Sequence, residues 1–381
     1  MRILHVLDYY PSYVGKIVYE IGKRLSSNGV YVKVAASNLA CGSEDCKGND
    51  DVIRLRATRI VVCDTPFVVY DWRDLRLLNK NLDFDIIHVH FLYKFLSLYI
   101  GLMKETRRVH VPLVTTSHGL TSGYPSGIVQ ATAKLLNELA KKLVITNSSI
   151  ITTVSKVEFR HLAKFIPTNK LCYIPNGVDT SFFKADRNKR YKLRNKFGID
   201  ENDVLVLYFT RLRAAKGVLI FLKAMAEVIR KTNNVKFLMA GSGPLTSHVK
   251  KMEKKFSDRL HTLLGYIPER DLPYLYSASD VYALPSYVEG MPLSVMEAMA
   301  CGKPVVVTRV GDVPFLVKNG VNGIVIPPGN ADVLAKSIIY LAENPELRKR
   351  MGEANVRKMK EYDWNKIAKQ YYTLYSGILN T

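Results

Sequence analysis

Two glutamates of this 381-residue chain stand at a spacing that could serve chemistry. Seven residues separate Glu289 from Glu297, and a Gly-x-Pro turn follows the first. The second lies in the first turn of a predicted helix that ends at Gly302. Carboxylates in such places can accept hydrogen bonds from a pair of neighbouring hydroxyl groups. The alternative is a capping box, in which Ser294 and Glu297 satisfy only the amides that begin the helix.

Two cations follow another predicted strand. The strand-like run VLVLYFT leads directly into Arg211, and Lys216 comes five residues later. Cations and the amides of a helix N-terminus together favour a bound phosphate or diphosphate. Because the chain has a formal net charge of +21, two exposed basic residues without a ligand are the alternative.

The predicted secondary structure around these residues alternates between strands and helices. In the N-terminal half, the helix-period stretch KIVYEIGKRLSSNG separates RILHVL from VYVKVAA, and FDIIHVHF, VPLVTTSH and KLVITNSSIITTVS continue the strands. After the turn PNGVDTSFF a second series follows: VLVLYFT, VKFLMAG, HTLLGYI, DVYALPS, KPVVVT and GIVIPP. Alternation of this kind requires crossover connections between parallel strands.

We therefore expect an α/β protein made of two Rossmann-like, doubly wound parallel-sheet domains that face each other across a cleft. The first comprises residues 1–178 and is joined by a C-terminal helix at 362–381. The second comprises residues 179–361. Ligands of such sheets bind beyond the carboxyl ends of the strands, where the glutamates and the cations fall.

The segment 289–308, EGMPLSVMEAMACGKPVVVT, resembles the donor-binding motif of the retaining glycosyltransferases of family 4. These enzymes have the GT-B fold and move a sugar from a nucleotide diphosphate, with an acceptor-side first domain and a donor-binding second domain. Four more segments are similar to the family in the same order: PSYVGK, TTSHGL, RLRAAKG and GYIPERDLPYLYSASDVYALPS. The resemblance extends to EYDWNKIAKQYYTLY, in which Trp364 would lie near the return to the first domain. One such motif is weak evidence, whereas five in order are strong.

The resemblance assigns side chains to the donor. Arg211 and Lys216 would hold the diphosphate, whose about two to three negative charges need stabilisation as the glycosidic bond breaks. Glu289 would lie near the sugar hydroxyls, and Glu297 would bind the ribose hydroxyls. His118 would lie near the transferred sugar and position it or stabilise charge, rather than attack as a nucleophile. A structural role at a strand end is the alternative for this histidine.

Backbone and base contacts complete the donor site that the resemblance implies. Pro292 has no amide proton, so it cannot donate to the sugar or the phosphates. Three other amides of its loop can donate: Gly290, Met291 and Leu293. Three residues are candidates for contact with the base: Gly265, Tyr266 and Ile267. The alternative for them is an ordinary strand-to-helix turn. Gly241 begins the segment GSGP, which lacks the third glycine of a dinucleotide-binding fingerprint. We therefore expect this segment to form a tight turn that lines the nucleotide pocket, rather than an NAD site.

Two segments depart from the family pattern. Family members usually carry paired glycines after the first strand, whereas this chain has Val14 and Gly15. Gly15 is therefore the main candidate for close approach of the backbone to the donor phosphates and the acceptor. In VGDVPFLV, Asp312 and Phe315 stand where family members often have a glycine and a glutamate.

We expect no metal and no resident cofactor, because the nucleotide-diphosphate sugar is a co-substrate. The segment 83–85, DFD, looks like the metal-binding DxD of the other glycosyltransferase fold, but we interpret it as the solvated entry to a buried strand. His88 and His90 lie on one face of that strand and are interpreted as packing residues. No second carboxylate is recognisable as a nucleophile beside the sugar carbon, so the family's front-face reaction is expected.

Composition indicates the cellular setting. With 48% apolar residues the chain is globular, and it has no run of about 18 apolar residues that would span a membrane. The N-terminus MRILHVLDYY has no signal-peptide features, which predicts an intracellular, cytoplasmic protein. The five cysteines, at 41, 46, 63, 172 and 301, fit neither a disulfide framework nor a zinc site, so we expect reduced thiols.

The net charge of +21 raises the question of whether the protein binds an anionic partner. Peripheral contact with the anionic inner face of a membrane is one hypothesis, through the helix-like FLYKFLSLYIGLMKETRRVH, although a helix packed on the sheet is the preferred interpretation. The basic run 184–196 is interpreted as a solvated helix. Nucleic acid is the default partner of a strongly basic protein, but no recognised nucleic-acid module is present and we expect no such partner.

The sequence thus predicts a retaining glycosyltransferase that moves a hexose to a lipid-linked or saccharide acceptor in glycan or glycolipid synthesis. A UDP-sugar is the first expectation for the donor and GDP-mannose the next. A basic nucleic-acid-binding Rossmann protein is the alternative from another class. Among enzymes, the alternatives are a nucleotide-sugar epimerase or a phosphorylase of the same fold. A phosphorylase would need a cofactor lysine, for which no candidate stands out.

Overall fold

The computed structural model describes residues 1–10, 12–40, 51–62, 65–80, 83–92, 94–119 and 138–380. The chain divides into two compact units. The first unit comprises Met1–Asn176 and Trp364–Thr381, and the second comprises Gly177–Asp363. The sequence prediction placed the boundary after residue 178 and the return to the first unit after residue 361.

The first unit is built on a parallel sheet, because its apolar runs alternate with helices that cross over. Its strands are β1 Arg2–Val6, β2 Tyr31–Ser37, β3 Val52–Leu55, β6 Ile86–His90, β7 Leu113–Ser117, β8 Ile150–Thr153 and β9 Leu171–Tyr173. A separate antiparallel hairpin consists of β4 Ala57–Val62 and β5 Thr65–Tyr70. The seven parallel strands lie in the order β3-β2-β1-β6-β7-β8-β9, so the direction of winding reverses between β1 and β6.

Helices cover this sheet: α1 Tyr13–Ser26, α2 Trp72–Lys80, α3 Phe95–Glu105, α4 Lys156–Leu162 and, from the end of the chain, α13 Trp364–Leu379. In α3, the apolar side chains Leu96, Ile100 and Met103 are buried in the core. That burial confirms the interpretation of this segment as a helix packed on the sheet. Among the described helices, none is both long and apolar enough to cross a bilayer.

One predicted strand is partly helical. The run KLVITNSSIITTVS was expected to continue the strand series, but Lys141–Ile145 forms a π-helical turn and only β8 at its end is extended. Thr146 Oγ1 donates to the carbonyl oxygen of Lys141 at 3.0 Å, and Ser148 Oγ donates to that of Val144 at 2.7 Å. Such bonds from short polar side chains to the nearby backbone compete with a strand ladder, which explains why the strand prediction was wrong here.

The second unit holds a six-stranded parallel sheet. Its strands are β10 Val204–Phe209, β11 Val235–Gly241, β12 Leu260–Leu264, β13 Val281–Leu284, β14 Val305–Thr308 and β15 Gly323–Ile326. Its helices are α5 Arg187–Lys196, α6 Val218–Lys231, α7 Thr246–Lys255, α8 Leu272–Ala278, α9 Leu293–Ala300, α10 Val313–Leu316, α11 Ala331–Glu343 and α12 Pro345–Met359. The strand order is β12-β11-β10-β13-β14-β15, so the winding reverses between β10 and β13. The prediction of two doubly wound parallel-sheet units is confirmed.

The basic run at α5 is not simply solvated, as the sequence suggested. The side chain of Arg194 is 1% exposed, and its Nη1 lies 3.2 Å from Asp280 Oδ2. Arg190 binds the other carboxylate oxygen of Asp280 at 3.0 Å. A buried guanidinium needs such partners, so part of the positive charge of this helix serves the fold of the second unit.

The described cysteines, Cys172 and Cys301, are free thiols. The other three positions, 41, 46 and 63, lie outside the described residues, so the expectation of reduced thiols is met only at these two sites.

Candidate functional site

The second sheet places the predicted donor residues together because of its strand order. The segment with Arg211 and Lys216 follows β10, and the loop with Glu289 follows β13. These two strands are hydrogen-bonded neighbours, with Val206 paired to Val281. Both segments therefore leave the same edge of the sheet at the point where the winding reverses, which is where ligands of doubly wound sheets bind.

Gly217 determines where Lys216 lies. Residues Ala214–Lys216 form a 3₁₀ turn, and Gly217 closes it at φ +72°, in the left-handed region that favours glycine. A Cβ atom at Gly217 would overlap the carbonyl oxygen of Pro285, so the turn lies directly against the segment after β13. Tyr208 OH donates to the carbonyl oxygen of Lys216 at 2.9 Å. Burial raises the pKa of Tyr208 well above its ordinary value, so this phenol stays protonated and donates.

Lys216 and Glu289 form an ion pair. Lys216 Nζ lies 2.7 Å from Glu289 Oε1, and Ser286 Oγ donates to the same oxygen at 2.7 Å. The side chain of Glu289 is 7% exposed and that of Lys216 is 24% exposed. Within the described part of the chain, Glu289 Oε2 has no hydrogen-bond partner, so this oxygen can accept from a ligand hydroxyl.

The backbone around Glu289 is held by the segment after β14. A Cβ atom at Gly311 would overlap the carbonyl oxygen of Glu289, and only glycine permits that approach. The amide of Asp312 donates to the carbonyl oxygen of Gly290 at 3.0 Å. Asp312, which departs from the family pattern, is buried and thus takes part in fixing this loop.

Helix α9 begins without a side-chain cap. Its N-cap residue is Pro292, which makes no side-chain cap hydrogen bond among the residues that the structure describes. The capping-box interpretation was therefore wrong: Ser294 Oγ instead pairs with Tyr282 OH at 2.9 Å, and Glu297 Oε2 accepts from Tyr276 OH at 2.7 Å. An uncapped helix N-terminus beside Glu289 favours an anion, because its amides and its dipole both attract negative charge.

Glu297, predicted to bind ribose, is 5% exposed. Its partner Tyr276, on α8, has a pKa raised well above the usual range, chiefly by burial, and donates to it. Met291 and Leu293 are also buried, at 2% and 6% exposed. The amides of these two residues, rather than their side chains, are what the loop can offer to a ligand.

The side chain of Arg211 is exposed, while its loop is fixed by the glycine turn after β11. The amide of Leu212 donates to the carbonyl oxygen of Ser242 at 2.8 Å, and the amide of Leu245 donates to that of Leu212 at 2.9 Å. The turn that contains Gly241 therefore supports the arginine loop. This is the close backbone packing expected of a tight turn.

The candidate base-contact residues follow β12. The amide of Gly265 donates to the carbonyl oxygen of Gly241 at 3.0 Å, which connects this loop to the glycine turn. Tyr266 is 76% exposed, and Ile267 is partly exposed. An aromatic ring in that position offers a surface for stacking of a planar base.

In the first unit, Gly15 lies in the first turn of α1. Ser12 caps this helix, because its Oγ accepts from the amide of Gly15 at 3.0 Å. The cap engages the amide proton that a phosphate would need. What Gly15 still offers is the absence of a side chain, since a Cβ atom there would come within 3.0 Å of Tyr10 Cδ2.

His118 follows β7 and belongs to a group of histidines. His118 Nε2 lies 2.9 Å from His90 Nδ1, and His90 Nε2 lies 2.9 Å from His5 Nδ1. His88 is buried beside them and lies 2.6 Å from Thr116 Oγ1. The packing interpretation of His88 and His90 is confirmed by their burial, but the sequence did not indicate that their ring nitrogens form hydrogen bonds.

The aspartates of the DFD segment serve the fold of the first unit. Asp85 Oδ2 accepts from the amide of Arg2 at 2.7 Å, and the guanidinium of Arg2 pairs with Asp83. These contacts connect the beginnings of β1 and β6. The interpretation of the segment as a solvated strand entry agrees with the exposed side chain of Asp83.

Sequence reasoning missed the residues that support the site from the sheet and its loops. They are Tyr208, Tyr276, Tyr282, Ser286 and Gly311. The available signal was a tyrosine within each of two otherwise mostly apolar predicted strands, VLVLYFT and DVYALPS. A buried tyrosine usually needs a hydrogen-bond partner, and these two hydroxyls donate to the carbonyl oxygens of Lys216 and Phe209.

Comparisons with known proteins cover nearly the whole chain. Residues 189–358 match the family described as Glycosyl transferases group 1, and residues 14–182 match Glycosyltransferase Family 4. N-acetyl-alpha-D-glucosaminyl L-malate synthase of Bacillus anthracis is 27% identical over 100% of this chain and 98% of its own length. Alpha-D-kanosaminyltransferase of Streptomyces kanamyceticus is 28% identical over 65% of this chain and 66% of its own length.

Solved structures show the same fold. Sucrose-phosphate synthase of Thermosynechococcus elongatus has a TM-score of 0.80 at 19% identity, with 100% of this chain and 99% of that chain covered. HepE of Anabaena, solved in complex with UDP, has a TM-score of 0.80 at 21% identity, with 99% of this chain and 100% of that chain covered. At these identities the likeness concerns the architecture alone, which is GT-B.

Proposed function

Because the chain belongs to the group 1 glycosyltransferases of family 4, we propose that it moves a hexose from a nucleotide-diphosphate sugar to a lipid-linked or saccharide acceptor, with retention of anomeric configuration. The observation that carries this proposal is the pair of Lys216 and Glu289 at the switch point of the second sheet. A cation and a hydrogen-bond acceptor side by side suit a ligand that carries a phosphate next to a sugar.

The proposed role of Lys216 is to bind the negatively charged diphosphate. An ammonium has three N–H donors, and the contact with Glu289 uses one of them, so others can reach a diphosphate oxygen. Arg211 adds a second cation from the same loop, and the uncapped start of α9 adds backbone amides. Preorganised donors of this kind stabilise the charge that grows on the diphosphate as the glycosidic bond breaks.

Glu289 has the task of orienting the sugar. Lys216 and Ser286 fix Oε1, which leaves Oε2 to accept from a sugar hydroxyl. The low exposure of this carboxylate strengthens such a hydrogen bond relative to one in water. Because the same carboxylate contacts Lys216, correct placement of the sugar and of the diphosphate would depend on each other.

The proposed reaction occurs on one face of the sugar. The bond between the anomeric carbon and the diphosphate oxygen breaks, and the bond to the acceptor oxygen forms on the same face. The acceptor's proton passes to the departing diphosphate, so the charge balances without an enzymic nucleophile. We propose that Lys216 and Arg211 supply the positive charge for this step and that no divalent metal is needed.

The other assignments are proposals from the family resemblance. Glu297 would bind the ribose hydroxyls, and the loop 265–267 would contact the base. His118 would contact the transferred sugar, and Gly15 would allow the donor phosphates and the acceptor to approach. A UDP-sugar is the preferred donor, which the complex of HepE with UDP supports, and GDP-mannose is the next candidate.

Peripheral contact with an anionic membrane is proposed for the first unit, near the end of α3. Arg107 and Arg108 are exposed there, whereas Lys104 donates to the carbonyl oxygen of Val111 at 2.8 Å. Exposed arginines attract anionic headgroups, and the attraction weakens in salt. Sedimentation with vesicles that contain anionic lipid tests this, and equal binding to neutral vesicles would contradict it.

The first experiment is a thermal-shift screen with UDP, GDP, ADP and their sugar conjugates, run in EDTA, with duplex DNA included. A ligand that binds the native state raises the melting temperature by mass action. Stabilisation by one nucleoside diphosphate and its sugar conjugate, followed by transfer in EDTA, is the expected result. Stabilisation by DNA alone would overturn the proposal, and loss of transfer in EDTA would overturn its metal-independent part.

A further inference from the structure

Three histidines of the first unit form a hydrogen-bonded chain. His90 contacts His5 through Nε2 and His118 through Nδ1, each at 2.9 Å. His5 and His90 are fully buried on the neighbouring strands β1 and β6. The nitrogens at the two ends of the chain, Nε2 of His5 and Nδ1 of His118, are buried and have no partner among the residues that the structure describes.

Burial keeps these three rings neutral. It lowers the pKa of His5 and the pKa of His118 to about 3, and it lowers the pKa of His90 well below its ordinary value. A neutral imidazole has one N–H donor and one acceptor nitrogen. Because both nitrogens of His90 are engaged, this ring must donate at one side and accept at the other, so the chain has a direction.

The two ends of the histidine chain favour one of the two possible directions of hydrogen-bond donation. If His90 donated to His5, the N–H of His5 would be buried without an acceptor. In the opposite direction the bare acceptor nitrogen lies at His5, and the N–H lies at Nδ1 of His118, which also has no partner among the described residues. Unsatisfied buried N–H groups are rarer than unsatisfied buried acceptors. Because His5 is fully buried and His118 is partly exposed, a bound ligand can satisfy the N–H only at His118. The favoured order is therefore His5 Nδ1–H to His90 Nε2, followed by His90 Nδ1–H to His118 Nε2.

We propose that His90, oriented by His5, is a positioning residue that holds His118 as the Nδ1–H tautomer, so that His118 presents a neutral hydrogen-bond donor to an oxygen of the donor sugar. The sugar contact rests on the proposed glycosyl transfer. A neutral donor can hold a sugar oxygen without taking the acceptor's proton, which the proposed reaction passes to the diphosphate. His118 would then orient the sugar rather than act as a base.

A metal centre fits these histidines less well. Ligand atoms of His5, His88 and His90 lie within 4.8 Å of one another. However, the rings of His88 and His90 stack at 4.3 Å with 29° between their planes, so their in-plane lone pairs do not converge on one ion. His88 also has both nitrogens engaged, with Tyr375 OH and Thr116 Oγ1 each at 2.6 Å.

Spectra of the imidazole nitrogens test the tautomer without any substrate. Long-range ¹H–¹⁵N correlations of the full chain, labelled with ¹⁵N-histidine, should show His118 with a protonated Nδ1 and a bare Nε2. His90→Phe keeps a ring but removes both nitrogens, so it should shift His118 toward the Nε2–H form. His90→Asn can still donate to His118 Nε2 and should restore the Nδ1–H form. His88→Phe is the matched control on the same strand and should leave His118 unchanged.

Steady-state kinetics test whether the Nδ1–H tautomer of His118 contributes to glycosyl transfer. With a donor that is transferred, His90→Phe should lower kcat about tenfold with little change in donor KM, and His90→Asn should recover most of the loss. A merely structural role would give no such rescue.

Three results would overturn the proposal: an Nε2–H tautomer of His118 in the unsubstituted protein, an unchanged tautomer in His90→Phe, or binding of Zn²⁺ alone to His5, His88 and His90. If the spectra agree with expectation but no nucleotide sugar is bound or transferred, the proposed function and the sugar contact fail, while the histidine chain stands.

Discussion

Lys216 Nζ lies 2.7 Å from Glu289 Oε1, although 73 positions separate the two residues in the chain. The contact joins the residue proposed to hold the diphosphate to the residue proposed to hold the sugar. Because neither side chain is well exposed, water screens the pair less than it would a surface ion pair. Removal of either charge leaves the other without its partner, so single substitutions should have effects beyond the loss of one ligand contact.

Replacing Lys216 with methionine should weaken the binding of the preferred nucleoside diphosphate about tenfold to a hundredfold. That is the range expected for the loss of one hydrogen bond to a charged group, about 1.5–3 kcal/mol. Titration calorimetry with the free diphosphate measures it. Lys223→Met, at an exposed position of α6, is the control for the general loss of positive charge. Equal affinity of Lys216→Met and the unsubstituted protein would contradict the diphosphate role.

Glu289→Gln should lose most of the transfer activity and keep the fold. The amide oxygen can still accept from Ser286, but the negative charge that pairs with Lys216 and accepts strongly from a hydroxyl is gone. We expect kcat to fall about a hundredfold or more. Nucleoside-diphosphate binding should persist, since Lys216 stays cationic. Ser286→Ala, which keeps the carboxylate, should have a smaller effect, and full activity of Glu289→Gln would remove this residue from the site.

Gly217→Ala should damage both stability and nucleotide binding. Gly217 and Gly320 have nearly the same φ, +72° and +76°, but only at Gly217 would a Cβ atom overlap another residue. Gly320→Ala therefore measures only the cost of placing a Cβ atom on a left-handed backbone, about 1–2 kcal/mol of the free energy of unfolding. Urea unfolding should show a larger loss for Gly217→Ala, and only this variant should bind the diphosphate more weakly. Equal losses in both variants would mean that the contact with Pro285 is unimportant.

The free energy of unfolding should fall as the pH is lowered below about 6.5. The pKa of His5 is about 3 in the folded protein against an ordinary 6.5, so between these values the unfolded chain binds more protons. The contribution of His5 is complete above pH 6.5 and is lost progressively as the pH falls toward 3. Each such histidine adds a slope of at most about 1.4 kcal/mol per pH unit.

Urea unfolding across this pH range measures the slope. His5→Phe should give a shallower slope than the unsubstituted protein, because one buried neutral imidazole is removed. The exposed His110 offers the control His110→Phe, which should leave the slope nearly unchanged. A slope that His5→Phe does not alter would mean that His5 is protonated at similar pH in the folded and the unfolded chain.

Local patterns predicted the elements where periodicity and burial agree. The runs VLVLYFT and KPVVVT are apolar on both faces, as expected for parallel strands that helices cover on each side. The burial of β10 and β14 agrees with this. The pattern was misleading where polar side chains bond to their own backbone, as at Lys141–Ile145. It was also misleading at Ser294, where a hydroxyl from β13 competes for the side chain that a capping box would have used.

The amino-acid pattern alone predicted the order of the elements, the two doubly wound units and the segments that leave the carboxyl ends of their strands. These follow from short-range periodicity, which any stretch of chain carries within itself. The placement of β10 beside β13, and of β1 beside β6, became visible only in the folded chain. That adjacency forms the pair of Lys216 with Glu289 and the contact of His5 with His90 across 85 positions. A crossover connection fixes its own right-handedness but not which strands become neighbours, and the packing of the whole sheet determines that order.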